Sequence, residues 1–388
     1  MAGKKLKGIT WAHSRGITPL LAAAQRYQEL FPEVEISWDK RSLQHFADYP
    51  LEKLTEHYDL LIIDHPWVGC AEATRCVLPL DQHLSKAYLD EQTQNSVGLS
   101  HPSYEYGGHQ WALAIDAATP AASYRPDLLA QYQTPVPQTW DEVITLAAKG
   151  KVAVPAIPID LLMNFYTFCI AAGKEPFQQQ DEIIDKETGL QALAIMQQLY
   201  AQVDKAFFNC NPIAVAELMS RTNDYWYCPF AYCYSNYART GYADHLLQYT
   251  DVVTFGNGHK LQTTIGGTGL AVSAFSQHKE EAVRFTEMVV SPSWQSTLYV
   301  QHGGQPGHLS AWTNAVANKL THRFFQEVLP AMQRGYMRPR YNGYLYFQDH
   351  GGDPLHQYLK EGGNPATVLE SMNKLYRQSL TKNETAVI

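Results

Sequence analysis

Three short apolar runs near the start of the chain, each separated from the next by a helical stretch, narrow the available folds more than anything else in it. "KGITWA" (7–12), "VEISWDK" (34–40) and "DLLIIDH" (59–65) read as strands, with "TPLLAAAQRYQELFP" (18–32) and "LEKLTEHY" (51–58) as helices between them. The first helix is expected to take Thr18 as N-cap, Pro19 in its first turn and Pro32 as its stop. Strand–helix–strand–helix–strand order calls for a parallel sheet with crossover helices. In such open sheets ligands collect beyond the carboxyl ends of the strands. Those ends carry Trp11, His13 and Arg15 after the first strand, then Lys40, Arg41 and Ser42, then Asp64, His65 and Trp67. Charges at all three strand ends, with Trp and His beside them at two, point to one shared pocket.

The rest of the chain keeps alternating. "WALAIDAATPAASY" (111–124) reads as two extended stretches around polar Asp116, and "PQTWDEVITLAAKG" (137–150) as a helix with Thr139 and Glu142 in a capping box. "KVAVPAIP" is expected to be a short strand, followed by buried helices over "LLMNFYTFCIAAG" and 188–203. "HKLQTTIGGTGLAVSAFS" (259–276) returns to strand, and "NPATVLESMNKLYRQSL" closes the chain as an amphipathic helix. At 388 residues there is room for two cores.

Composition removes several functions. Lys plus Arg is 30 against 38 Asp plus Glu, with no basic block, so nucleic acid is not an expected partner. No apolar run reaches membrane-spanning length, and no 7–15-residue apolar core follows the opening Lys residues. The compartment is therefore periplasmic or extracellular if a signal was removed, cytoplasmic otherwise. Neither a phosphate-binding Gly loop nor a zinc-type Cys or His spacing occurs, so no cofactor and no metal are expected. The six cysteines are sparse and several lie in apolar or aromatic surroundings; pairing of Cys70 with Cys76 or Cys228 with Cys233 is left open.

Four segments together resemble the extracellular solute-binding proteins of ABC importers, in particular the group that binds carbohydrates. They are "ITWAHSRGITPLLAAAQRYQELFPEVEISW", "YDLLIIDHPWVG", "GGHQWALAIDAATPAASYRPDLLAQY" and "TTIGGTGLAVSAFSQHKEEAVRFTEMVVSPSWQSTLYVQHGGQPGH". The last is the most distinctive, since order and spacing fit over more than forty positions. The resemblance implies an α/β, two-lobed periplasmic-binding-protein-like fold of type II. Each lobe would be a mixed sheet flanked by helices, with the ligand cleft between the lobes. Lobe one would comprise 1–116 plus 262–312, and lobe two 117–261 plus 313–388. The implied function is capture of a small polar solute, a sugar or sugar acid, by hinge closure. The partners are that solute and the membrane permease subunits of the importer, and the protein is expected as a monomer. Two departures stand out, "IDAATP" in place of the family's usual "LP" and the unusual "DHPWVG".

Sugar recognition needs flat aromatic faces and paired polar groups. Trp11, Trp67 and Trp226 are the candidate platforms, Tyr232 next, with Asp64, Asp116 and Asn236 as hydroxyl partners. His13, Arg15, Arg41, His65 and Arg338 add a basic rim that suits a sugar acid as well as a neutral sugar. Gly266 and Gly267 allow backbone N–H groups close approach to a ligand. The alternative is a cytoplasmic enzyme or metabolite sensor on the same fold, with His13 and Asp64–His65 as an acid–base pair.

Overall fold

A computed structural model describes residues 3–41, 51–256 and 258–381; Ser42 lies outside them. Sheet one has the order β2-β1-β3-β8-β4, built from β1 (Lys4–Trp11), β2 (Val34–Arg41), β3 (Leu60–Ile63), β4 (Leu113–Ala118) and β8 (Gly266–Val272). Its first three strands are parallel, in the register Gly8 opposite both Trp38 and Leu60. β8 then runs antiparallel to β3 and to β4, which makes the sheet mixed. Sheet two has three antiparallel strands in the order β6-β5-β7: β5 (Pro120–Tyr124), β6 (Tyr227–Tyr232) and β7 (Gln248–Thr250).

Position in the sheet explains the sequence of each strand. β3 is central and covered on both faces, so all of Leu60–Ile63 is buried; each such side chain contributes about 1.5–3 kcal/mol. β2 lies at the edge and alternates, with Val34 and Ile36 inside and Glu35 and Ser37 outside. Each sheet has its own apolar core. Leu6, Tyr27, Leu60, Leu113, Leu270 and Phe285 anchor the first, and Phe168, Leu193, Tyr200, Phe230 and Met372 the second.

Two local expectations change. Helix α1 spans Ser14–Leu30 and begins five residues earlier than its proline suggested. His13, rather than Thr18, is the cap, its Nδ1 accepting from the Arg15 amide at 3.0 Å, and Pro19 lies inside the helix. "KVAVPAIP" is not a strand: Val152 makes one isolated bridge to Tyr227, and Pro155 and Pro158 have no N–H to extend it. The Thr139–Glu142 capping box is present as expected. All six cysteines are free thiols.

Three segments tie the sheets together. Thr119 alone separates β4 from β5, its hydroxyl meeting that of Thr263 at 2.8 Å. The stretch before β8 is held by Thr263 Oγ1 donating to the Pro120 carbonyl at 2.9 Å. The third is Gln305, whose amide donates to the Ala117 carbonyl (2.8 Å) while its Oε1 accepts from the Ser235 amide (3.0 Å).

Candidate functional site

Strand direction gathers the site. β1 and β3 end at the same rim where β4 ends at Ala118 and β8 begins at Gly266. Pro120 and Tyr232, paired in sheet two, meet that rim from the other side. The side chains between the two sheets form two charged clusters.

In the first, Arg15 is 3% exposed and clasps Asp116 with two bonds, Nε to Oδ2 at 2.8 Å and Nη2 to Oδ1. Its Nη1 donates to the Cys233 carbonyl at 2.8 Å, and the guanidinium lies 4.8 Å from the Tyr234 ring centre. Burial lowers the Arg15 pKa, yet the Asp116 charge and hydrogen bond carry it above its ordinary value. Asp116 is raised by burial, with Arg15 opposing. His13 packs edge-on against Tyr234, its Nε2 3.3 Å from the Tyr242 hydroxyl. Burial, then the Arg15 charge, hold it at about 4.

In the second cluster Arg338, 4% exposed, donates from Nη2 to Asp64 Oδ1 (2.7 Å) and to His65 Nδ1 (3.2 Å), and from Nη1 to Gln348 Oε1 (2.6 Å). Burial would raise Asp64, but Arg338 and His65 hold its carboxyl well below the ordinary carboxylate range. Burial, then Arg338, bring His65 down to about 4, so the ring is neutral at pH 7. His65 Nδ1 stands 3.3 Å from Asp64 Oδ1 as well, and its Nε2 is a buried polar atom with no partner among the described residues. Arg340 follows two residues on and donates to the carbonyls of Pro102 (3.1 Å), Ser103 (3.1 Å) and Glu105 (2.5 Å). Tyr232 donates or accepts at Thr264 Oγ1, 2.8 Å away.

Arg15, His13, Asp64, His65, Asp116, Tyr232 and Arg338 thus meet along one seam. The three tryptophans do not provide platforms there. Trp11 is 4% exposed and packs over Gly16 in the core of sheet one, and Trp67 is buried beside Cys70 and Ala71. Trp226 stacks on Tyr132 at 4.5 Å and sits before the far end of β6. Six residues of extended chain place it about 20 Å from Tyr232. Core packing claims all three. Arg41 closes β2 at the sheet edge opposite Trp11, and its charge acts on Tyr58. Asn236 lies in the turn after β6, beside Gly303, and its Oδ1 is buried without a partner among the described residues.

The glycines serve packing. A Cβ on Gly266 would come within 2.5 Å of the Tyr232 ring. Gly267 has φ +97°, and a Cβ there would lie 2.3 Å from the Asp116 carbonyl oxygen. Gly267→Ala is therefore expected to lose about 1–3 kcal/mol of stability, read as a lower urea midpoint. An unchanged midpoint would refute the strain.

Sequence reasoning missed Tyr234, which carries Arg15, and Asp160. The latter is the third residue of a helix spanning Pro158–Ala171 and is 5% exposed. Its signal is one acid heading an otherwise apolar helix, "IPIDLLMNF". Among the described residues, no group of three or more His, Cys, Asp or Glu gathers as metal ligands, and no helix is long and apolar enough to cross a membrane.

The profile of the family described as bacterial extracellular solute-binding protein matches residues 55–296. The maltotriose-binding protein of Pyrococcus abyssi is 26% identical over 120 residues, 31% of this chain and 25% of that protein's own length. Among solved structures, maltose-bound MalE3 of T. maritima has a TM-score of 0.82 at 16% identity, covering 97% of this chain and 100% of that one. An ABC-transporter solute-binding protein from Agrobacterium radiobacter K84, in complex with ribitol, has 0.83 at 18%, covering 97% and 98%. One from Thermotoga lettingae, bound with α-D-tagatose, has 0.80 at 16%, covering 97% and 100%. At these identities the likeness is one of fold: two lobes with a cleft between them.

Proposed function

The chain belongs to the bacterial extracellular solute-binding protein family, and from that premise we propose that it captures a neutral sugar or polyol for an ABC importer. The observation that carries the reading is the charge balance of the seam. Of the three arginines offered to a ligand by the sequence, Arg15 and Arg338 are already matched, by Asp116 and Asp64, and Arg41 closes the edge strand β2. A sugar acid would have to displace a buried carboxylate from its arginine. A polyhydroxylated neutral solute need not, and its hydroxyls satisfy the unpartnered polar atoms there, His65 Nε2, Asn236 Oδ1 and Ser235 Oγ. The sugars and polyols held by structures of the same fold support the class.

In this reading the lobes are 1–116 plus 262–312 and 117–261 plus 313–388. They close about Thr119, Thr263 and Gln305, and the protein acts as a monomer outside the cytoplasmic membrane, delivering to permease subunits. The chemistry of an enzyme finds little support. Burial pushes the thiols of Cys228 and Cys233 up to about 12 and about 11, the opposite of what a nucleophile needs.

A melting screen against neutral sugars, polyols, sugar acids and sugar phosphates tests the class. A neutral hit should raise the midpoint saturably and be recovered unchanged. His65→Phe keeps the ring volume and removes both ring nitrogens, the unpartnered Nε2 among them. It is expected to weaken that hit about tenfold or more, one hydrogen bond in a buried site. A hit confined to sugar acids would sink the neutral reading.

A further inference from the structure

We propose that Asp160 is a solute-contacting residue of the second lobe, its carboxyl donating a hydrogen bond to a sugar oxygen. This rests on the neutral-sugar reading above. Three observations lead to it. First, the carboxyl is buried, and its Oδ2 has no hydrogen-bond partner among the described residues. A buried carboxyl oxygen without a partner is costly, so one in a binding protein marks where a ligand group belongs.

Second, its neighbours place it toward the seam. Asp160 lies close enough to Tyr232 and Tyr234 for its charge to act on both phenols, and these are the rings that meet Thr264 and Arg15 between the lobes. On its inner side it acts likewise on Tyr200 and Cys228. Asn164, one turn along the same helix, spends its amide on the Tyr200 hydroxyl at 2.8 Å and leaves the acid alone.

Third, the titratable groups on which its charge acts, Tyr200, Cys228, Tyr232 and Tyr234, are neutral at pH 7. Burial pushes Tyr232, Tyr234 and Cys228 up to about 12, and Tyr200 well above the ordinary phenol range. The other two seam carboxylates each hold an arginine; Asp160 has no cation among the described residues. Burial accordingly raises it to about 8. The protonated acid offers both a donor and an acceptor, which matches a sugar hydroxyl as an amide would.

The test uses the full-length protein, the best neutral sugar from the melting screen, and titration calorimetry from pH 6 to 9.5. Wild-type affinity should hold to pH 7 and then fall about tenfold per pH unit above about pH 8. Asp160→Asn, close in shape and unable to ionise, should bind within a few-fold at pH 7 and show no fall. Asp160→Leu should lose tenfold or more at every pH. Wild-type affinity flat to pH 9.5 in a protein still folded there, or Asp160→Leu binding like wild type, overturns the proposal. So does an affinity that rises with pH, the mark of a carboxylate pairing with a cationic solute. If no neutral sugar binds wild type, the neutral-sugar reading fails first and takes this one with it. Failure of the pH profile alone overturns only Asp160.

Discussion

Asp116→Ala should destabilise the protein by about 3–5 kcal/mol, the expected size when one member of a buried ion pair is removed and the other charge stays behind. Arg15 has nowhere to go. It lies in the first turn of α1, its side chain is 4% exposed, and its remaining bond, to the Cys233 carbonyl, brings no countercharge. Replacing both partners should be far milder. Arg15→Met with Asp116→Leu leaves no buried charge and is expected to retain most of the lost stability, while sugar affinity falls because the seam loses its polar floor. Urea unfolding of the single and double variants, with calorimetry on each, separates the two effects. A single variant within about 1 kcal/mol of wild type would show that water reaches Arg15 and that the pair is not sealed.

The rim on which this pair sits was readable from sequence, and the pair was not. Apolar runs that stop abruptly, as at Ile63 before Asp64, mark strand ends, and parallel order puts such ends on one side. That logic named His13, Arg15, Asp64 and His65 together. It could not reveal that Arg15 would find Asp116, 101 positions away, or that Arg338 would find Asp64, 274 away. Those partners exchange the rim's apparent positive charge for neutrality, and with it the balance between a sugar acid and a sugar. The tryptophans fail for another reason. Local sequence says that an indole is present but not which face is covered, and Gly16, Tyr132 and the core of sheet one settle that through distant contacts. Asp160 was hidden by its own plausibility, since an acid in the first turn of a helix is ordinary. The early start of α1 was hidden because His13 is an uncommon cap, chosen by the tight turn after β1 rather than by propensity.

Acid should unfold this protein in two stages, the first set by buried neutral histidines. His65 and His101 are 1% and 3% exposed, and burial brings both to about 4, helped by Arg338 in one case and His308 in the other. An unfolded histidine titrates near 6.5, so between about pH 6.5 and 4 the unfolded chain binds more protons than the folded one. Their contribution is therefore complete above pH 6.5 and disappears as pH falls toward 4. It amounts to about 2.5 kcal/mol for each ring by pH 4.5, at about 1.4 kcal/mol per proton per pH unit. His13 adds a smaller share in the same direction, being partly exposed. Asp64 acts in the opposite window. Its carboxyl is held low by Arg338, so its contribution stands above the ordinary carboxylate range and is lost only as pH drops below about 4. Urea midpoints at pH 7, 5.5, 4.5 and 3.5 should fall first through the histidine range and again below it. His101→Gln should flatten the first fall without moving the second, whereas Asp64→Asn should flatten the second and, because the Asp64 charge holds the His65 pKa up, steepen the first. A midpoint constant from pH 7 to 4.5 would mean that these rings charge freely in the folded protein, and that the seam holding His65 opens to water without ligand.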